Sequence, residues 1–445
     1  VYFYEIKGGE EREAVEQREK KLLDFDGADP KRFVIDRGDT TIELQKRDDH
    51  WFLTSPVESA ADESALRRFV DNVRDTERER SIADSAAVAD DPSLVQRYEL
   101  ASPLMELLVE TDSTALDTIF FGPKNPTGSY VYAQQGGLNR EIFTIRSWRY
   151  DSLDKGVFAL RDRRVLPFDK KEVREIRVAR PEGRMVLLKG DENWRVTEPT
   201  DVPANLEAVD SLLSKIHNAK IDTFIAEVPS EDEIAGYGLA GLVNFEVSLI
   251  IGEERAEKRL RLGATQDGIR YLARDLSRPP VFLVDSTIVK ALLKPPHELR
   301  DRKPFKFDPR EVTRIETAGA DEKIVAEKDT SGTWQIVSPK SDRSTRSWKF
   351  NSLMTDLTEM EVVDFVSDNE TSLAKYGLDD PSYSITLMGV EKTVLEAIIG
   401  TSRSDLVYCM RRDVPSVYAI HADVADDLSL SLDQALQKKP EAQEQ

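Results

Sequence analysis

The chain has 445 residues, and 62 basic against 83 acidic side chains leave a formal net charge of −21. Such a surface repels phosphate backbones and anionic headgroups, which argues against nucleic acid as a partner. The 40% apolar content is enough for packed cores, the lone Cys409 excludes an internal disulfide or a cysteine-based zinc site, and the length predicts about three domains.

The first residues, Val1-Tyr2-Phe3-Tyr4-Glu5-Ile6, pass abruptly into Glu10-Glu11-Arg12-Glu13. Aromatic residues giving way to charge match the interfacial end of a membrane helix whose apolar part lies outside this sequence. A first β-strand or an irregular end is the alternative. No run of about 18 apolar residues occurs anywhere in the chain, so no membrane span is expected within it.

From Phe25 onward one unit is written three times. Its centre is a tryptophan strand ended by proline: Trp51 to Pro56, Trp194 to Pro199 and Trp334 to Pro339, with the tryptophans 143 and 140 residues apart. Phe25-Asp26, Phe168-Asp169 and Phe307-Asp308 precede them. Between these landmarks lie alternating segments such as Val173-Arg174-Glu175-Ile176-Arg177-Val178 and a hairpin partner such as Met185-Val186-Leu187-Leu188, which is the strand signature. The tryptophan is placed to close one face of this small sheet. Proline ends the strand because it cannot donate to a ladder.

Six residues past the proline stand Asp62 and Asn205, both good helix N-caps. Helices follow with stripes Leu66, Phe69, Val70, Val73, then Val209, Leu212, Leu213, Ile216, and in the third copy Phe350, Leu353, Met354, Leu357, one residue out of register. That spacing packs one helical face on a sheet. Next come Tyr98-Glu99-Leu100, Tyr237-Gly238-Leu239 and Tyr376-Gly377-Leu378, then Gly122, Gly263 and Gly400, each followed by a tyrosine (Tyr132, Tyr271, Tyr408). Four more strand-like segments, such as Phe245–Ile250, Leu260–Gly263, Arg270–Ala273 and Val281–Val284, read as an antiparallel meander, and a short helix near Ile288–Leu293 closes the unit.

The expected architecture is therefore α+β: three tandem repeats of a mostly antiparallel sheet, each with one main packed helix and a short closing helix. The boundaries are a juxtamembrane stalk at 1–24, repeats at 25–167, 168–306 and 307–439, and a polar tail at 440–445. Leu160-Arg161-Asp162-Arg163 and Leu299-Arg300-Asp301-Arg302 stand only where another repeat follows; the third repeat ends in Leu436-Gln437-Lys438-Lys439 instead. Arg161, Asp162, Arg163, Arg300, Asp301 and Arg302 are thus candidates for an ion-paired clamp between repeats, with a ligand-binding arginine pair as the functional alternative.

Motifs for chemistry are sparse. The chain has no P-loop, dinucleotide fingerprint, zincin helix or nucleophile elbow. Ser372-Leu373-Ala374-Lys375 fits S-x-x-K without companion motifs, and Arg37-Gly38-Asp39 fits both an adhesion tripeptide and an ordinary hairpin turn. Asn369-Glu370-Thr371 is a sequon. Carboxylate neighbours such as Asp24/Asp26 and Asp379/Asp380 follow from the acidic composition. Cys409 reads as a buried thiol. His50, His217, His297 and His421 hold no matching places among the repeats. No catalytic, cofactor-binding or metal-binding residue is assigned, and no cofactor is expected. What recurs (Trp51, Pro56, Trp194, Pro199, Tyr237, Gly238, Trp334, Pro339, Tyr376, Gly377) is core and turn material, which favours a scaffold over an enzyme.

The residues Val1–Gly8, Arg12 and Lys20-Lys21-Leu22-Leu23-Asp24-Phe25, with the Trp51, Pro56, Ala61-Asp62 and Tyr-Gly-Leu patterns, resemble the domain-of-unknown-function-4340 family across essentially the whole chain. Tyr98-Glu99-Leu100 departs from the pattern, and the family's membrane helix is not in this sequence. The resemblance implies a bacterial inner-membrane protein with one N-terminal membrane helix and an extracytoplasmic bulk. It implies partnership with the permease and ATPase of an ABC transport system similar to those of gliding motility. It implies no catalytic residues. The expected role is a non-enzymatic accessory scaffold contacting permease, envelope component or cargo. A module recognising glycan, peptide or lipid cargo in a cleft between repeats, with Trp148-Arg149-Tyr150 as a candidate lining, is the alternative. A hydrolase of envelope polymers is the remote one.

Overall fold

The computed structural model describes residues 20–23, 28–112, 116–137, 140–191, 193–241, 245–320 and 322–437. The stub at Val1–Ile6, Phe25-Asp26, Asp24 and the tail at 440–445 lie outside them. The described residues form two compact units: those up to 165 together with 220–227, and 166–219 together with those from 228 onward.

In the first unit β1 (Pro30–Asp36), β2 (Thr41–Arg47), β3 (His50–Ser55), β4 (Ser59–Ala60), β5 (Arg80–Ala83), β6 (Met105–Thr111), β7 (Leu116–Lys124), β8 (Tyr130–Gln135) and β9 (Ile142–Arg146) form one sheet, in the order β4-β3-β2-β1-β6-β7-β8-β9-β5. In the second unit β10 (Val173–Arg180), β11 (Gly183–Lys189), β12 (Trp194–Glu198) and β13 (Val202–Pro203) lead one sheet. The strand β14 (Ile221–Ala226) groups with the first unit. The second sheet continues with β15 (Glu246–Ile251), β16 (Ala256–Thr265), β17 (Arg270–Asp275) and β18 (Val281–Asp285), in the order β13-β12-β11-β10-β15-β16-β17-β18.

The third sheet uses β19 (Arg314–Gly319), β20 (Lys323–Lys328), β21 (Trp334–Ser338), β22 (Asp364–Ser367), β23 (Tyr383–Met388), β24 (Thr393–Arg403), β25 (Leu406–Arg411) and β26 (Val417–His421). Its order, β21-β20-β19-β23-β24-β25-β26-β22, repeats the plan. Pairings such as Phe33↔Leu44, Ile176↔Leu187 and Ile315↔Ala326 are antiparallel, so the expected α+β class of three antiparallel sheets holds.

Three main helices, α1 (Glu63–Asp75), α2 (Leu206–Asn218) and α3 (Ser347–Glu359), each lay an apolar face on a sheet. Asp62 accepts the N–H groups of Ser64 and Ala65, and Asn205 that of Ala208, as N-caps do. The third helix begins after Arg346, which makes no side-chain cap. It starts 13 residues past its tryptophan rather than 12, and this explains the one-residue shift of its stripe. Counted from each helix start, Leu66, Val209 and Phe350 coincide, and all are buried.

The tryptophans are core residues. Trp334 is fully buried, 5.9 Å from the Phe350 ring, and its indole N–H donates to Asn351 Oδ1 at 3.0 Å. Trp51 stacks at 5.4 Å on Phe33. Burying rings and aliphatics of this size contributes about 1.5–3 kcal/mol each. Leu22 and Leu23, assigned to the stalk by sequence, are buried in the first core, where Leu22 N–H donates to the carbonyl of Thr76. Among the described residues no helix is long and apolar enough to cross a membrane.

Candidate functional site

The repeated landmarks converge on one another. Pro56, Pro199 and Pro339 each follow the last residue of the tryptophan strand, and all three peptide bonds into them are cis. The Tyr-Gly-Leu segment ends a short helix. Gly238 and Gly377 adopt φ of 70° and 65°, and their N–H groups, with those of Leu239 and Leu378, close the last turn. Glu99 takes the same left-handed conformation, φ 56°, with the same two hydrogen bonds to Gln96 and Val95. The later glycine is explained by close approach. A β-carbon at Gly122 would lie 2.9 Å from the Tyr98 carbonyl oxygen, and at Gly263 and Gly400 it would collide with the carbonyls of Tyr237 and Tyr376.

Arg161 and Arg300 of the candidate clamp pair with acids outside their own motifs. Arg161 is 4% exposed and donates through Nη1 and Nη2 to both carboxylate oxygens of Glu227, at 2.7 and 2.8 Å. Its guanidinium lies 3.5 Å from the centre of the Phe224 ring. Arg300, 8% exposed, makes a single ion-pair contact from Nη2 to Asp368 Oδ1 at 2.6 Å and lies 3.9 Å from the centre of the Phe365 ring. Each three-residue set lies within one compact unit.

Asp162 is buried and receives the Arg164 side chain and N–H, while Asp301 receives Lys306 and the Lys303 N–H. Their own N–H groups donate to Ala60 and Pro203. Arg163 stacks on Phe158 at 4.5 Å, and Arg302 donates to the carbonyls of Val362 and Val363. The partners Phe224, Glu227, Phe365 and Asp368 escaped the sequence reading. Their signal is a phenylalanine in the strand after the main helix and an acid three residues later, just past the strand's end.

Matching backbone bridges put Leu436 in the place of these arginines: Ala61↔Arg161, Ala204↔Arg300 and Thr345↔Leu436. The arginine sites are thus filled by a ring and a carboxylate of the protein itself, and a buried arginine with that geometry holds strands together.

Other candidates resolve into packing. Lys375 of the S-x-x-K match pairs with Glu370 at 2.8 Å and stacks 4.7 Å from the Tyr376 ring. That pairing pushes the ammonium pKa up, so it is no base, and Lys375 with the Ser372 N–H holds Glu370 down at about 2. Arg37 donates to Asp154 and to the Lys155 carbonyl, so the tripeptide's arginine is engaged. Burial alone pushes the Cys409 thiol up. Asp379 and Asp380 are exposed. Among the histidines, His217 binds the Phe168 carbonyl at 3.0 Å. Among the described residues no cluster of three or more histidine, cysteine or acidic side chains is placed to hold a metal. Tyr150 turns inward against Phe121, while Trp148 is exposed beneath Arg149.

A cleft of about 820 Å³ opens within the second unit, between Trp194, the start of α2 and residues 301–306 with Glu361. It lies at the junction of the second and third repeats.

The comparison with known families keeps the repeat spacing in its first two segments. The family model described as "Domain of unknown function (DUF4340)" matches residues 51–193, 194–372 and 349–445, and the first two matches open on Trp51 and Trp194. Among curated proteins none matches the chain. Three matched segments that span most of its length place the chain in the DUF4340 family.

Proposed function

We propose that this chain is a non-enzymatic scaffold, the extracytoplasmic part of an accessory subunit of an ABC transport system similar to those of gliding motility. One observation carries the scaffold reading: the residues that recur in the repeats are consumed by packing. Arg161 and Arg300 are buried against a ring and a carboxylate of the next repeat, and the tryptophans and the glycines beside the tyrosines serve the core and its close approaches. Tandem units of this kind offer extended surfaces to partners. The transport assignment rests on the family resemblance.

The test is affinity purification of the full-length protein from membranes in mild detergent. Recovery of the permease and ATPase in fixed ratio supports the assignment. A protein that runs free of both, under conditions that preserve the transporter itself, overturns it.

A further inference from the structure

The three repeats close the gap between tryptophan strand and main helix in different ways. In each, the tryptophan's backbone groups point away from the neighbouring strand. The carbonyls of Trp51 and Trp194 receive the N–H groups of Ala61 and Ala204. The Trp51 N–H donates to Glu63 Oε1 at 3.2 Å, and the Trp334 N–H donates to Ser347 Oγ at 2.9 Å. Glu63 and Ser347 are the first residues of α1 and α3. The first residue of α2 is Leu206, whose side chain has no acceptor, and it is about half exposed. Among the described residues no acceptor takes the Trp194 N–H. The cleft of about 820 Å³ opens at this place, lined by Trp194, Asn205 and Leu206.

From this we infer that the cleft is a peptide-binding site, in which an acidic side chain of a partner protein takes the place that the Glu63 carboxylate holds in the first repeat. The carboxylate accepts the Trp194 N–H and faces the positive end of a 13-residue helix. Lys303 and Lys306 stand on the wall, paired to Glu359 and Asp301. Glu207 and Glu361 on the rim suit a basic residue of the same peptide. The lining carries both signs in a chain of net charge −21, which suits a segment bearing both charges. Trp194 is only 8% exposed, so it offers no ring face for a sugar. This inference stands apart from the transport assignment, since any partner with such a segment satisfies it.

The experiment is a titration of the isotopically labelled chain, following the Trp194 backbone amide by NMR. The probe is the peptide acetyl-Lys-Gly-Gly-Glu-amide, with its Gln counterpart and free glucuronate as comparisons. The expected result is a saturable shift with the Glu peptide, weakened about tenfold or more by Gln, absent in Leu206→Glu and kept in Leu206→Ala. Leu206→Glu supplies the chain's own carboxylate as in the first repeat, and an unchanged far-UV spectrum verifies its fold. No saturable shift at about 10 mM peptide, equal binding by Leu206→Glu, or glucuronate binding as tightly as the peptide would each overturn the proposal.

Discussion

The first and third repeats share one plan and differ where a neighbour arrives. In the third repeat Phe365 on the strand after the main helix and Asp368 just past its end receive Arg300 from the repeat before. By strand pairing, Ser81↔Phe143 corresponds to Phe365↔Tyr418, so the first repeat carries Ser81 in place of the ring. Asp84 holds the place of Asp368 and caps the helix Ser85–Asp90. The third repeat keeps glycine in its Tyr-Gly-Leu turn, whereas the first places Glu99 in the same left-handed backbone. The lesson is that the sheet, the helix and an acid after the edge strand belong to the repeat itself, while the ring is present where an arginine docks.

The sharpest way to break the comparison is at the close approaches. Gly400→Ala forces a β-carbon onto the Tyr376 carbonyl, whereas the same change at Gly122 meets Tyr98 at 2.9 Å. Urea denaturation is expected to show a loss of about 3 kcal/mol at Gly400 and about 1 kcal/mol at Gly122. Equal losses would mean that the two turns are not packed differently.

Removing the docking arginine is next in size. Arg300→Ala leaves Asp368 without its cation, and the carboxylate is partly exposed, so the expected loss is about 2 kcal/mol, below that of a fully buried pair. Arg300→Lys keeps the charge but not the flat stack on Phe365, and it should recover only part. A melt of Arg300→Ala indistinguishable from the parent would remove the clamp.

A smaller effect of opposite sign is expected at Glu99. Glu99→Gly relieves a side chain held at φ 56° and should stabilise the first repeat by about 1 kcal/mol. No gain would show that Glu99 makes compensating contacts.

The smallest difference is in acid. Glu370 is held at about 2 in the folded third repeat, chiefly by Lys375. A depressed carboxylate contributes stability above its ordinary value of 4.5, and that contribution fades as pH falls toward about 2. The stability gap between the parent and Lys375→Met should therefore be present at neutral pH and shrink on acidification through that window. A gap independent of pH would assign the role of Lys375 to its stacking on Tyr376.

Much of the fold was legible because it was written three times. The tryptophan, the proline ending its strand and the caps Asp62 and Asn205 follow from local preferences that act wherever the residue stands. The joints were legible only by halves. Arg161 and Arg300 are visible as a motif, but Glu227 and Asp368 lie 66 and 68 residues away. Only the folded edge strand brings ring, acid and arginine together. Asp162 and Asp301 likewise find partners that their own motifs do not contain. Their carboxylates turn instead to Arg164 and to Lys303 and Lys306.

Sequence alone determined the period, the main helix and most strands of each repeat and their buried faces, because alternation and helical spacing are properties of consecutive residues, but not the edge strand after the helix. Tertiary structure decided which carboxylates receive the joint arginines. It also decided why Gly400 must be glycine, and that Leu206, at the helix start where the first repeat has Glu63, lines an open cleft beside Trp194. Those outcomes depend on which edge, carbonyl or side chain lies opposite in space, and neighbours along the chain do not determine that.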